Sequence, residues 1–589
     1  MLRVLKYLKL KEWLWILISL ILIGGQVYLE LELPQYMLTI SQMALSENAE
    51  ITKIILEGLK MLALALGSLT SAIIVGLIFA RLSSRFGARL RARIFEKTTD
   101  FSMEEINNFS TPSLITRSTN DITQVQMVIS LGAQIILKAP ILAIWSIFKI
   151  SDSRFEFTVV TIVAIFIISI VMLMIIFLAI PRFKKIQKNT DELNKHTREN
   201  LTGLRVIKAY NAEKYQKGKI NSISHRLMND GLFAGRVMSL LMPTMTLVMT
   251  GLGLAIYWIG GSLISDIPLD LANPSVGLLA RMEVYGPMII FSQYAMQVIM
   301  AFMMLVMIFV IMPRAQVSAN RILEVLNTKT KINDGNLPLK TQIETLEFKN
   351  VSFKYPDASD LVLENISFKA NKGDVVAIIG ATGAGKSTLI NLIPRFYDVT
   401  EGEITINDIN IKDYIQKDLR TRIGYISQQA FLFSGTIETN VNYGIDSIKE
   451  LDQALYIAQA KDFVQSLESK EKSRVSQAGK NFSGGQKQRL SIARAIQKEA
   501  NILIFDDSFS ALDYQTDRNL RHALKSNLHE HITLIVAQRI GTIKNADLIL
   551  VIDEGKIVGA GKHQMLIDNN KIYREIALSQ LSEEEIQNG

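Results

Sequence analysis

Gly380-Ala381-Thr382-Gly383-Ala384-Gly385-Lys386-Ser387-Thr388 is the segment whose residue types and spacing speak most directly of chemistry. An apolar run, Val375–Ile379, precedes it and reads as a strand; Ser387–Ile393 follows and reads as a helix. Strand, glycine-rich turn and helix in that order form a P-loop. Gly380, Gly383 and Gly385 let backbone N–H groups close around phosphate oxygens, and the helix N-terminus adds partial positive charge. Lys386 is expected to reach the β- and γ-phosphates and Ser387 to bind Mg2+, with Thr382 and Thr388 completing the ATP-binding set.

A second apolar run, Ile502-Leu503-Ile504-Phe505, delivers Asp506 to its C-terminal end, where the carboxylate would hold the Mg2+ directly or through water. An apolar run ending in Asp is common, so this feature gains meaning only beside the P-loop. A third feature, Ser483-Gly484-Gly485-Gln486, opens the helix-prone stretch KQRLSIARAI and forms another anion-binding helix start. One fold cannot easily bring both phosphate sites to a single γ-phosphate. The spacing therefore predicts a head-to-tail pair of chains, each P-loop facing Ser483, Gly484, Gly485 and Gln486 of the other.

The elements that must position these residues divide the 589-residue chain in two. Hydrophobic residues make up 49%, charged residues 20%, and the mean hydropathy is +0.22, which suits a membrane half joined to a water-exposed half. Apolar runs at 13–29, 61–80, 127–150, 157–180, 237–264 and 284–312 are long enough to cross a bilayer, which predicts six transmembrane helices. Lys138, inside the third run, reads as snorkelling toward an interface. Arg3, Lys6, Lys9 and Lys11 precede the first run; Arg81, Arg85, Arg89, Arg91, Arg93 and Lys97 follow the second; Arg182, Lys184, Lys185 and Lys188 follow the fourth. Cations on that side place both termini and the ATP-binding domain in the cytoplasm. They also account for the net charge of +8, so nucleic acid is not expected as a partner. The first run lacks a small-residue cleavage site and is not read as a cleaved signal.

The chain contains no cysteine, which excludes disulfides, thiolate metal sites and a cysteine nucleophile. Six histidines show no metal-ligand spacing. The expected division is a transmembrane domain at 1–325 with long cytoplasmic helical extensions, a linker at 326–343, an α/β P-loop domain at 344–580 and a tail at 581–589. The segment Ser265–Glu283, with Pro268 and Pro274, reads as an irregular external loop.

With P-loop, Asp506 and the Ser-Gly-Gly-Gln signature on six spans, the chain resembles ATP-binding-cassette (ABC) exporters over nearly its full length. The resemblance implies a type IV exporter fold, ATP and Mg2+ as cofactors, and an ATPase coupled to transport. It implies that Tyr355 stacks on adenine; the alternative is a strand aromatic packed in the core, and the position upstream of the P-loop favours stacking. It implies that Gln428, in Tyr425-Ile426-Ser427-Gln428, senses Mg2+ and the transport domain. Ser510-Ala511-Leu512-Asp513 would cross the dimer interface, with Asp513 serving the partner's ATP. Arg117-Ser118-Thr119-Asn120-Asp121 is similar to the family's first coupling segment, and Leu204–Tyr210 lies just past the second.

Two positions depart from that pattern. The family places Glu after the Mg2+ aspartate and His before Arg539; here they are Asp507 and Gln538. Aspartate is one methylene shorter, and glutamine cannot become cationic. Both changes fall on the site built on this chain's P-loop, while the signature that serves the other site is intact. This resembles the degenerate subunit of heterodimeric bacterial multidrug exporters, with slow hydrolysis at this P-loop and a second half-transporter in the plasma membrane. A homodimer would carry both replacements twice.

Substrate signals are thin. Met296, Met300, Met303 and Met307 share a face of the sixth run, which suits either lipophilic substrates or plain helix packing. Glu30 and Glu32 could attract cationic drugs or simply sit at the interface. The leading expectation is efflux of drugs or other lipophilic compounds; a lipid or peptide flippase half and a regulatory membrane ATPase remain alternatives.

Overall fold

The computed structural model describes residues 1–45, 50–151, 155–267, 274–356, 358–445, 451–527 and 529–580; the expected tail and Pro268 lie outside them. Among the described residues, six helices are long and apolar enough to cross a membrane: Leu10–Ala44, Ile51–Thr99, Thr111–Ile150, Phe155–Thr202, Glu213–Ser265 and Val284–Asn327. A helix of 48 residues is about 70 Å long, more than twice the ~30 Å hydrocarbon layer, so its polar end stands in water. The third span is not one continuous α-helix. A π-helical turn, Val128–Gly132, precedes the stretch Ala133–Ser151, which contains Pro140.

The expected loop at Ser265–Glu283 is shorter than its composition suggested. The sixth helix runs Pro274–Asn327 and so begins at a proline. Proline has no N–H to leave unpaired and a backbone angle preset for the first helical turn, so here it starts a helix and does not mark a loop.

The acids and lysines of the membrane half find one another. Glu30 Oε1 accepts from Lys138 Nζ (2.9 Å), Gln26 Nε2 (2.9 Å) and Ser68 Oγ (3.2 Å), joining the first three spans. Glu32 pairs with Lys149 at 3.0 Å. Lys138 therefore does not snorkel; a carboxylate neutralises it where it stands. On the sixth helix, Tyr294, Val298 and Ala301 are buried, Met296 and Met303 are half-buried, and Met300 and Met307 are 42% and 52% exposed, so the Met stripe lies along the edge of this chain's own packing.

Two compact units result. One comprises Met1–Thr99 and Pro112–Thr328; the other comprises Asp100–Thr111 and the chain from Lys329 onward. The short helix Met103–Phe109 thus belongs with the cassette, although sequence places it inside the 1–325 segment. A capping box at Ser102 starts it, Glu105 Oε1 accepts from the Lys331 N–H (3.1 Å), and Asn107 donates to the Tyr397 hydroxyl (3.2 Å). Residues 117–121, expected to form the coupling segment, lie in the membrane unit. Arg117 binds Glu324 (2.6 Å) and Asp121 accepts from Ser318 Oγ (2.7 Å).

The cassette strands are β1 (Thr345–Phe353), β2 (Leu363–Asn371), β3 (Val375–Gly380), β4 (Glu401–Ile406), β5 (Ile409–Asn410), β6 (Ile423–Ile426), β7 (Gly435–Thr436), β8 (Arg474–Val475), β9 (Ile502–Asp506), β10 (Ile532–Val536), β11 (Leu548–Asp553) and β12 (Lys556–Gly561). A six-stranded sheet orders them β12-β11-β3-β10-β9-β6, and an antiparallel sheet orders β2-β1-β4-β5. Strands β3, β9 and β10 are near-continuous apolar runs because both faces of the sheet are covered. In-register parallel pairing of β10 with β3 and β9 sets the C-terminal ends of the three strands side by side.

Candidate nucleotide site

The site grows from those strand ends. Strand β3 runs into the glycine turn, and the helix Lys386–Leu392 leaves it. Gly385 has φ +99°, and a Cβ there would lie 2.8 Å from Leu363 Cδ2 and 3.0 Å from the Val362 carbonyl, so only glycine closes the loop at this point. Lys386 Nζ donates to the carbonyls of Gly380 (2.9 Å) and Ala381 (2.7 Å), which folds the lysine over its own loop. Burial lowers its pKa, against the pull of Asp507 and Asp506.

Strand β9 ends at Asp506. Its Oδ1 accepts from Ser387 Oγ at 2.9 Å and its Oδ2 from the Tyr425 hydroxyl at 3.3 Å. Burial raises the Asp506 pKa, opposed by Ser387, Tyr425 and Lys386. Burial likewise raises that of Asp507, opposed first by the bond from Gln428. A hydroxyl and a carboxylate oxygen held together, with a second carboxylate beside them and one ammonium, leave net negative charge and hard oxygen ligands. That donor set fits Mg2+.

Asp507 adopts a left-handed backbone, φ +46°, which aspartate tolerates better than most residues. Its Oδ2 accepts two bonds, from Gln538 Nε2 at 2.9 Å and from Gln428 Nε2 at 3.2 Å. The structure thus brings both departures and the glutamine of the Tyr-Ile-Ser-Gln segment to one oxygen. Tyr355 packs edge-on to Phe353 (4.9 Å, 81°) and Tyr397 (5.2 Å, 89°), and its hydroxyl lies 3.1 Å from Thr388 Oγ1. It is both a core aromatic and a neighbour of the P-loop helix.

The signature stands apart, on the helix Gly484–Gln497. Ser483 caps that helix: its N–H donates to Gln486 Oε1 (2.9 Å) and its Oγ accepts from the Gln486 N–H (3.3 Å). Ser483 and Gly484 are exposed, and Gly485 lies beside Ala511, where a Cβ would sit 3.4 Å from the carbonyl. Asp513 accepts from the Thr516 N–H at 2.9 Å, which holds its carboxyl below the usual range. Sequence reasoning passed over Tyr425, although it begins the quoted Tyr-Ile-Ser-Gln segment. Its hydroxyl reaches Asp506 and Asn391, and burial pushes its pKa far up.

The fold and this geometry define a P-loop ATP-binding domain carried on a six-span membrane domain. Residues 363–510 match the family model described as ABC transporter, and residues 15–282 match that of the ABC transporter transmembrane region. An uncharacterized ABC transporter ATP-binding protein of Mycobacterium bovis is 36% identical over 509 residues, covering 85% of each chain. An ATP-dependent lipid A-core flippase of Saccharophagus degradans is 33% identical, over 68% of this chain and 65% of that one. A multidrug resistance ABC transporter ATP-binding and permease protein of Lactococcus lactis is 28% identical, over 88% and 86%. The structure of a bacterial Atm1-family ABC exporter aligns with TM-score 0.79 and 23% identity, over 98% and 100%, and so shares the fold. The chain belongs to the ABC transporter family: a multi-pass membrane protein with an ATPase domain coupled to transport.

Proposed function

We propose that this chain is one half of a heterodimeric exporter in a bacterial plasma membrane, and that ATP at its own P-loop is hydrolysed slowly. The observation that carries this is the double engagement of Asp507 Oδ2 by Gln538 and Gln428. Backbone amides of the loop, Lys386 and Thr388 would hold the phosphates; Ser387, Asp506 and Gln428 would hold Mg2+; Tyr355 would stack on adenine. When bound, ATP and Mg2+ supply the free energy and the charge that distinguish two cassette arrangements. Asp507 would take a proton from water. Its short side chain ends among two neutral amides, and neither can accept or carry that proton. Gln538 orients Asp507 but cannot assist it.

The test is the turnover of the purified chain assembled with itself. Asp507→Glu with Gln538→His is expected to raise ATP hydrolysis by about a hundredfold, the low end of what a positioned general base contributes. Unchanged turnover would sink the slow-site reading.

For the cargo, we infer a lipophilic, drug-sized compound. An apolar cavity of 880 Å³ within the membrane unit is lined by Trp13, Phe79, Ile129, Ile136 and Met312 among others, a volume in the range of small-molecule sites. Among the relatives, one is named for multidrug resistance and one for lipid A-core flipping. Glu30 is neutralised by Lys138, which speaks against a lure for cations at that position. ATP-dependent accumulation of a neutral dye inside inverted vesicles supports efflux; flipping of labelled lipid without dye transport favours the flippase.

A further inference from the structure

Four arginines descend one side of the second spanning helix at four-residue intervals: Arg81, Arg85, Arg89 and Arg93. The two farther from the hydrocarbon are satisfied within the protein. Arg89 binds both oxygens of Glu12 (2.6 and 2.9 Å) and the Tyr7 carbonyl (2.9 Å); Arg93 lies over the Tyr7 ring at 4.8 Å. The two nearer ones, Arg81 and Arg85, make no hydrogen bond or ion pair among the described residues. Both are exposed, and with Glu12, Trp15, Ile78 and Leu82 they line a pocket of 200 Å³ between the first two spans. Glu12 is already neutralised by Arg89, so the pocket keeps two uncompensated positive charges.

Depth decides what fits. Arg81 is the first charge after the uncharged run 61–80, and Arg85 stands one turn, about 6 Å, beyond it. That is the headgroup layer. Trp15 is 47% exposed at the same level, where amphipathic rings settle. Leu77 and Ile74, on the same side of the helix toward the hydrocarbon, are 52% and 41% exposed. A cationic pair with an aromatic beside it and an apolar track leading away matches an amphiphile with an anionic head. The simple excess of cations that orients a membrane protein requires neither the pocket nor the track.

We propose that this pocket binds the phosphate of an anionic phospholipid of the adjacent leaflet, with acyl chains along Leu77 and Ile74. The site goes beyond the ATP and cargo readings, and depends on them only for naming that leaflet the cytoplasmic one.

The intact transporter is purified in membranes of equal phosphatidylglycerol and phosphatidylcholine, and retained lipids are counted by native mass spectrometry. Wild type is expected to retain phosphatidylglycerol preferentially. Arg81→Gln with Arg85→Gln is expected to lower that retention by about thirtyfold, from the usual contribution of two basic residues at an anionic surface. Millimolar inorganic phosphate should leave the lipid in place. Equal retention by a variant with unchanged Tm, or displacement of the lipid by phosphate, would overturn the proposal. If the double variant fails to assemble, wild type alone decides. Raising salt from about 0.1 M to about 1 M should strip phosphatidylglycerol and spare phosphatidylcholine; parallel loss of both overturns it.

Discussion

Asp506 and Asp507 sit side by side in a buried pocket with one lysine, and burial favours their neutral forms. The sign for stability follows. A carboxyl whose folded pKa is raised contributes stability below its unfolded value, near 4, and loses it as pH rises through the folded value. Asp506→Asn should therefore melt higher than wild type at pH 7 in the presence of chelator, with the difference vanishing near pH 4. The same variant should lose Mg2+-dependent ATP binding. Calorimetric scans across pH check this; a variant that melts lower at pH 7 would show that Ser387 and Tyr425 favour the charged form more than burial opposes it. Gly385 makes a second case. Gly385→Ala meets both a left-handed φ and a contact at 2.8 Å, so a loss of about 1–3 kcal/mol is expected, read as a lower Tm together with weaker nucleotide binding.

Helices and strands were the legible layer, because their signals are local. Apolar runs of about 20 residues marked the spans, and strand-turn-helix marked the P-loop. What sequence could not supply was convergence over distance. Glu30 and Lys138 lie 108 positions apart, and each alone reads as an interfacial oddity. Gln428 and Asp507 are separated by 79 positions, so their shared bond appears only once β9 and β6 pair. The helix Met103–Phe109 is too short and polar to reveal by pattern that it belongs with the cassette. Its anchor is Glu105. Burial alone would raise the Glu105 pKa, but bonds from the Ser102 side chain and the Lys331 and Ser102 amides outweigh this and lower it. That contribution is present above the unfolded pKa and is lost as pH falls through the folded one. Glu105→Ala should cost about 2 kcal/mol and speed hydrogen exchange at residues 102–109 and at Lys331. The membrane ion pair obeys a different rule. Glu30→Gln or Lys138→Met alone should each destabilise by about 3 kcal/mol, and the double change by less than either, because a lone charge among helices costs more than none. Additive losses on thermal denaturation in detergent would mean that the two residues act independently.

At the scale of the whole molecule, the chain carries a P-loop with Asp507 and Gln538 beside it, and a separate Ser-Gly-Gly-Gln signature. If each signature completes the other chain's P-loop site, damage to the two should have unequal consequences. Under the proposed slow-site reading, Lys386→Ala removes phosphate binding at a site that would contribute little turnover, so the intact complex should keep more than about a third of its ATPase activity. Ser483→Arg puts a long cation at an exposed helix start whose side chain hydrogen-bonds within its own first turn. Under the same reading it should leave folding intact and remove about 90% or more of the activity, because it would block the site that turns over. The two variants differ in location but not in kind, which makes their ratio informative. Equal losses would mean that the two composite sites work alike. The complex would then be symmetric or tightly alternating, and Asp507 with Gln538 would have to be catalytically sufficient after all.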